Sequence, residues 1–191
     1  MNPTFDLKGE HTAIAIILDA MKKMALDIRN GKHIDSYRIV QIIDFLHTYN
    51  ENCHYEKEEK CLYPALLDFN IPWTAESIDH LNSEHKIAHV YIHEIDHLFE
   101  EYLSGNSQSL ISLSLSMMKY VELEENHIKI VDSVVLPLCE RLFDNKKQLS
   151  VSLEFKKIQD HNVGHDKHLE YFRLLSKIYS ENEVNHESVY L

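Results

Sequence analysis

The sequence predicts an all-α protein, an up-down-up-down antiparallel four-helix bundle with an additional C-terminal helix, and three observations carry that expectation. Apolar residues recur at helical spacing over most of the chain, as in Ile14, Ile17, Leu18, Met21 and Met24 and again in Ile39, Ile42, Ile43 and Leu46. Only 4 Gly and 4 Pro occur among 191 residues, too few for a sandwich or barrel with its many tight turns. The helix-stopping residues are gathered at a few widely separated points, so the helices between them must be long.

The first helix is expected over 8–29, closed by Asn30-Gly31, and the second over 35–69, closed by the turn that holds Pro72. The third is expected over 74–103, closed by Ser104-Gly105-Asn106, and the fourth over 108–143. Residues 111–117 alternate Ser with apolar side chains as a strand would, but Leu110, Leu113, Met117 and Val121 keep helical spacing, and helix is expected there too. A fifth helix over 151–180 is amphipathic through Phe155, Ile158, Tyr171, Leu174, Leu175 and Ile178. Long helices joined by short connections fold back on their neighbours. Residues 1–145 are expected to form the bundle and 146–191 a helical extension packed on it, frayed over its last ten residues.

Composition narrows the partners. With 19 Lys and Arg against 31 Asp and Glu, the formal charge of -12 repels phosphate backbones and anionic lipid, so neither nucleic acid nor membrane is an expected partner. The apolar run 13–18 follows Glu10 and His11, lacks a basic flank and is too short for a signal segment, which points to a cytoplasmic protein. Cys53 and Cys61 fall about 12 Å apart along one helix, beyond disulfide reach, and free thiols fit a reducing compartment.

The excess is in histidine, 14 in all. His54 and Glu58 stand at i,i+4 on the second helix, His85 and His89 at i,i+4 on the third, and His127 and Asp132 at i,i+5 on the fourth, with His11 on the first. In an antiparallel hairpin the first two pairs meet at one level, because both lie about 15 residues from the turn between their helices. His11 and His54 are level across the first turn by the same reasoning, and His127 is nearly so across the third. Seven nitrogen and oxygen donors at a common depth in a helical core point to a metal, since each would cost several kcal/mol if buried unpaired. Five residues turn an α-helix by about 500°, so Asp132 shares the His127 face only if a π-bulge intervenes near 128–132; otherwise Glu124, one turn before His127, supplies the second carboxylate. His93 and His97 drift off the stripe towards solvent, and His161, His165 and His168 share a face of the fifth helix without a carboxylate at bridging spacing.

Four stretches, HTAIAIIL from His11, HYEKEEKCLYPAL from His54, EHKIAH from Glu84 and NHIKIVD from Asn126, resemble the hemerythrin and hemerythrin-like (HHE cation-binding) proteins, in order and over residues 8–143. The resemblance implies a cofactor of two non-haem iron ions bridged by carboxylates and hydroxide. It implies that His85, His89 and His127 hold one iron, His11 and His54 the other with one position open to O2 or another small diatomic or anion, and that Glu58 and Asp132 bridge them. Tyr55 is expected beside that open position, with Ile14, Leu62, Leu123 and Ile130 as an apolar shell that carries no acid and favours holding O2 over reducing it. The implied role is therefore an O2 carrier, store or sensor, with no catalytic residue assigned. The alternatives are a di-iron enzyme reducing peroxide or nitric oxide, an iron-centre repair protein, and a helical interaction module with a structural metal. A ferritin-like oxidase is excluded, since a connection of about five residues between the second and third helices cannot supply that fold's long crossover. The C-terminal helix offers a contact for a homo-oligomer.

Overall fold

A computed structural model describes residues 2–187. Six helices make up the described chain, with no strand among the described residues. α1, Pro3–Arg29, begins earlier than expected, because the Asn2 side chain accepts from the backbone N–H of Thr4 and Phe5 and Pro3 occupies the first turn. It ends at Asn30, and Gly31 takes the left-handed conformation with φ 67°. α2 runs over 36–67 from an Asp35 cap as four joined segments, Ser36–Phe45, the π-helical Leu46–Tyr55 and Glu58–Leu62, and Tyr63–Leu67. α3 is Thr74–Leu103, and α4 spans 109–142 as Ser109–Ile130, a π-helical Val131–Val135 and Leu136–Leu142.

The fifth helix departs from expectation. α5, Asn145–Asn162, starts earlier because Asp144 accepts from the backbone N–H of Lys147, and α6, Gly164–Glu187, follows a break at Gly164, whose φ of 71° no other residue type adopts at so little cost. His161 thus lies on a different helix from His165 and His168, and all three are exposed. The expected extension and its frayed end reach 188–191, which lie outside the described residues.

Chain directions follow from paired charges. Lys8 meets Glu140 at 2.9 Å while Lys22 meets Glu125, so α1 and α4 run oppositely; Glu84 meets His127 at 2.9 Å while Lys119 lies over Tyr91, so α3 and α4 do also. α5 and α6 lie against α1 and α2. Phe155 is buried, Gln159 accepts from Lys57 at 3.1 Å, and Tyr171 packs on the Phe45 and Tyr49 rings while its hydroxyl donates to Asp44. Cys53, Cys61 and Cys139 are free thiols. No helix among the described residues is long and apolar enough to cross a membrane.

The core comes in two parts. Ile14, Tyr55, Ala88, Ile92 and Val121 belong to one apolar cluster, and Leu7, Leu62, Leu81 and Val131 to the other. Every long helix passes from one to the other through a buried polar residue: His11 in α1, His54 and Glu58 in α2, His85 in α3, Glu124 and His127 in α4. A polar layer therefore crosses the molecule where four helices would otherwise bring Leu and Ile together. Such a layer forfeits apolar burial of about 2 kcal/mol per position, so it needs a compensating interaction of its own.

Candidate metal centre

The π-helical segments of α2 decide which side chains enter the layer. A π turn puts residues five apart on one face, and two such pairs are joined: the Tyr63 hydroxyl donates to Glu58 Oε2 at 2.7 Å, and Asn50 Nδ2 donates to the Tyr55 hydroxyl at 3.0 Å. Glu58, with no exposure, sits at the centre. Its Oε2 lies 3.1 Å from His85 Nε2 and 3.2 Å from His127 Nε2, while its Oε1 lies 3.7 Å from His11 Nε2 and 3.9 Å from His54 Nε2. Each carboxylate oxygen thus faces one pair of histidines.

Behind each imidazole stands another carboxylate. His11 Nδ1 donates to Asp132 at 2.7 Å, His54 Nδ1 to Glu10 at 2.9 Å, His85 Nδ1 to Glu59 at 2.7 Å and His127 Nδ1 to Glu84 at 2.9 Å. A neutral histidine whose Nδ1 hydrogen is so engaged presents the Nε2 lone pair, and all four Nε2 atoms point into the layer. His85 and His127 bring theirs within 3.1 Å of each other. His11 Nε2, His54 Nε2, Glu58 Oε1 and Glu124 Oε2 are buried without a hydrogen-bond partner. Lone pairs and carboxylate oxygens converging in this way are the donor set for cations, and imidazole with carboxylate suits iron, copper or zinc. His11, His54 and Glu58 form one group of candidate ligands, and Glu58, His85 and His127 another that shares Glu58.

Protons take the positive charge when no cation does. Burial opposes charging His11, but Asp132 and Glu58 outweigh it and hold its pKa up at about 9; for His127, Glu58 and Glu84 outweigh burial and hold it up at about 10. His85 is raised by Glu58 and Glu59 against burial, and Glu58 is held well below the usual carboxylate range despite its burial by the histidines around it.

Of the seven expected ligands, five are brought together: His11, His54, Glu58, His85 and His127. His89 is not, for it lies one turn beyond His85 on the outer side of α3, 60% exposed, and donates to Glu51. Asp132 lies within the π-helical segment Val131–Val135, but its half-exposed carboxylate stands behind His11 rather than between the histidine pairs. Glu124 is the acid that enters the layer from α4, three residues before His127 on the same face, accepting from the Tyr55 hydroxyl through Oε1. The expectation of an acid-free shell fails on that residue. Tyr55 is buried and stacked on His85 with ring centroids 4.0 Å apart. Ile14 and Leu62 are fully buried on opposite sides of the layer, and Leu123 and Ile130 are half-buried, packed against the two separate apolar clusters.

Sequence reasoning missed the supporting carboxylates Glu10, Glu59 and Glu84, and Tyr63. The signal was an acid adjacent to His11, Glu58 and His85 in the chain, yet Glu10 and Glu84 each serve a histidine of another helix, which adjacency does not reveal. Glu10 is itself anchored by Lys57, only 1% exposed. Lys57→Met is expected to leave Glu10 buried without its counter-charge, costing about 3 kcal/mol and lowering Tm by about 10 °C; an unchanged melting curve would show that the pair is dispensable.

A protein-family model described as the hemerythrin HHE cation-binding domain matches residues 2–139. No curated protein and no solved structure matches the chain.

Proposed function

The chain belongs to the hemerythrin HHE cation-binding family, and on that premise we propose that it is a non-haem di-iron protein that binds O2 as carrier, store or sensor in the core of an up-down-up-down four-helix bundle. One observation carries the reading: the two oxygens of Glu58 face two separate histidine pairs, the arrangement of a carboxylate that bridges two cations. His11 and His54 would hold one iron, His85 and His127 the other, with Glu58 between them and Glu124 as the second carboxylate. Two adjacent ferrous ions supply two electrons to a bound oxidant.

The remaining work falls to the chain's own residues. Asp132, Glu10, Glu59 and Glu84 fix each imidazole by holding its Nδ1 hydrogen, which keeps the four Nε2 atoms aimed inward. Ile14 and Leu62 exclude water from either side. Tyr55 holds its proton firmly, since burial and the neighbouring Glu124 push its pKa well above the ordinary value.

The same pair favours a second reading. Tyr55 donating to Glu124 sets a proton within reach of the donor layer, which is what reduction of peroxide or nitric oxide requires. Metal analysis with optical titration separates the readings: a reduced protein that colours on O2 and bleaches on its removal supports carriage, whereas steady consumption of peroxide or nitric oxide without a stable coloured form supports the enzyme. The ligand set is tested in the same preparation. His89→Ala is expected to keep about two iron per chain and Glu124→Ala to lose at least one; the opposite pattern would restore His89 and remove Glu124.

A further inference from the structure

A second group of donors lies on the outer side of the α2–α3 seam, outside the centre described above. His47 and Glu51 stand at i,i+4 on α2, and His89 and His93 at i,i+4 on α3, with Asp96 one turn further on. Glu51 accepts from both sides of the seam, from His47 Nδ1 at 2.7 Å and from His89 Nδ1 at 2.5 Å. His47 Nε2 lies 3.5 Å from Asp96. The His93 ring centroid is 5.0 Å from that of His47 and 4.3 Å from that of His89. One donor atom each from His47, Glu51 and His93 lies within 4.8 Å of the other two.

We propose that His47, Glu51 and His93, with His89 and Asp96 beside them, form a separate, solvent-accessible binding site for a first-row transition-metal dication. Charge and chemistry both point there. Two carboxylates, Glu51 and Asp96, converge there among three imidazoles, and a dication offsets their negative charge. Imidazoles with carboxylate select zinc, cobalt, nickel, copper or ferrous iron over magnesium or calcium, which take all-oxygen sites. The approach of the His47 and His93 rings on either side of Glu51 argues the same way, because one ion can take a lone pair from each together with a carboxylate oxygen. Glu51 is the fixed point, 11% exposed, while His47 at 25% and Asp96 at 40% leave the site reachable from solvent.

The test is titration of the isolated, metal-loaded protein with Co(II) alone, read by ligand-field absorption and metal content. The expected result is one further Co(II) per chain, saturable, lost in the double variant His47→Ala/His93→Ala while the iron content of that variant is unchanged. Since His93 is exposed, His93→Ala alone serves where the double variant folds poorly, and it is expected to weaken Co(II) binding at least tenfold. Equal Co(II) uptake by wild type and both variants, or no saturable uptake beyond the buried centre, overturns the proposal.

Discussion

Glu58→Gln is expected to lower bound metal from the proposed two ions per chain to at most one, the largest single-residue effect in the molecule. Glutamine keeps the size of the side chain, and its amide oxygen still accepts from the Tyr63 hydroxyl at the position Oε2 now holds. Its NH2 group then replaces Oε1, turning a donor of electrons into a donor of hydrogen towards His11 and His54 Nε2. The metal-free variant suffers as well, because Glu58 is the common counter-charge for His11, His85 and His127, and removing one partner of a buried ionic cluster costs about 3 kcal/mol. Asp132→Asn is the matched control. It touches only the carboxylate behind His11, so metal affinity falls by about 10- to 100-fold with the stoichiometry preserved. Two ions retained by Glu58→Gln would remove the carboxylate from the centre.

How much of this was legible beforehand depends on the distance over which each feature is encoded. Helical periodicity is local, so the bounds of α3 agree with expectation and those of α2 and α4 differ by two residues or fewer at each end. Register is nearly as accessible, since a hairpin of regular helices puts residues equidistant from its turn at one level, and His54, Glu58 and His85 meet accordingly. What escaped was rotation. α2 carries two π-helical segments that no composition signal marks, and they bring Tyr63 onto the Glu58 face. On α3 helical twist turns His89 outward, although its spacing from His85 matches that of an inward-facing pair. The break at Gly164 was readable in principle, because a lone glycine in an amphipathic pattern marks a left-handed residue as readily as a tolerated one.

The histidine layer also sets how stability depends on pH, and the dependence differs between the two metal states. In the metal-free protein His11 and His127 keep their protons up to about pH 9 and about pH 10, whereas in the unfolded chain histidine releases its proton near 6.5. The stabilisation they give is complete below about pH 6.5 and is lost as pH rises through 9 to 10, because over that interval the folded state binds more protons than the unfolded one. Each such histidine removes about 1.4 kcal/mol of stability per pH unit there. Glu58 acts in the other direction: held below its ordinary value of 4.5, it stabilises the folded state above that pH and withdraws the stabilisation as pH falls further. The metal-free protein should therefore be most stable near pH 5 to 6.5 and its Tm should fall steadily from pH 7 to 10. A loaded centre has already displaced the Nε2 protons, so its Tm should stay level over the same interval, and loading at pH 8 should release about two protons per chain, measurable as a buffer-dependent binding enthalpy. A metal-free Tm that stays level between pH 7 and 10, with no proton release on loading, would mean that His11 and His127 are neutral in the empty layer and that the four Nε2 lone pairs stand ready for metal at neutral pH.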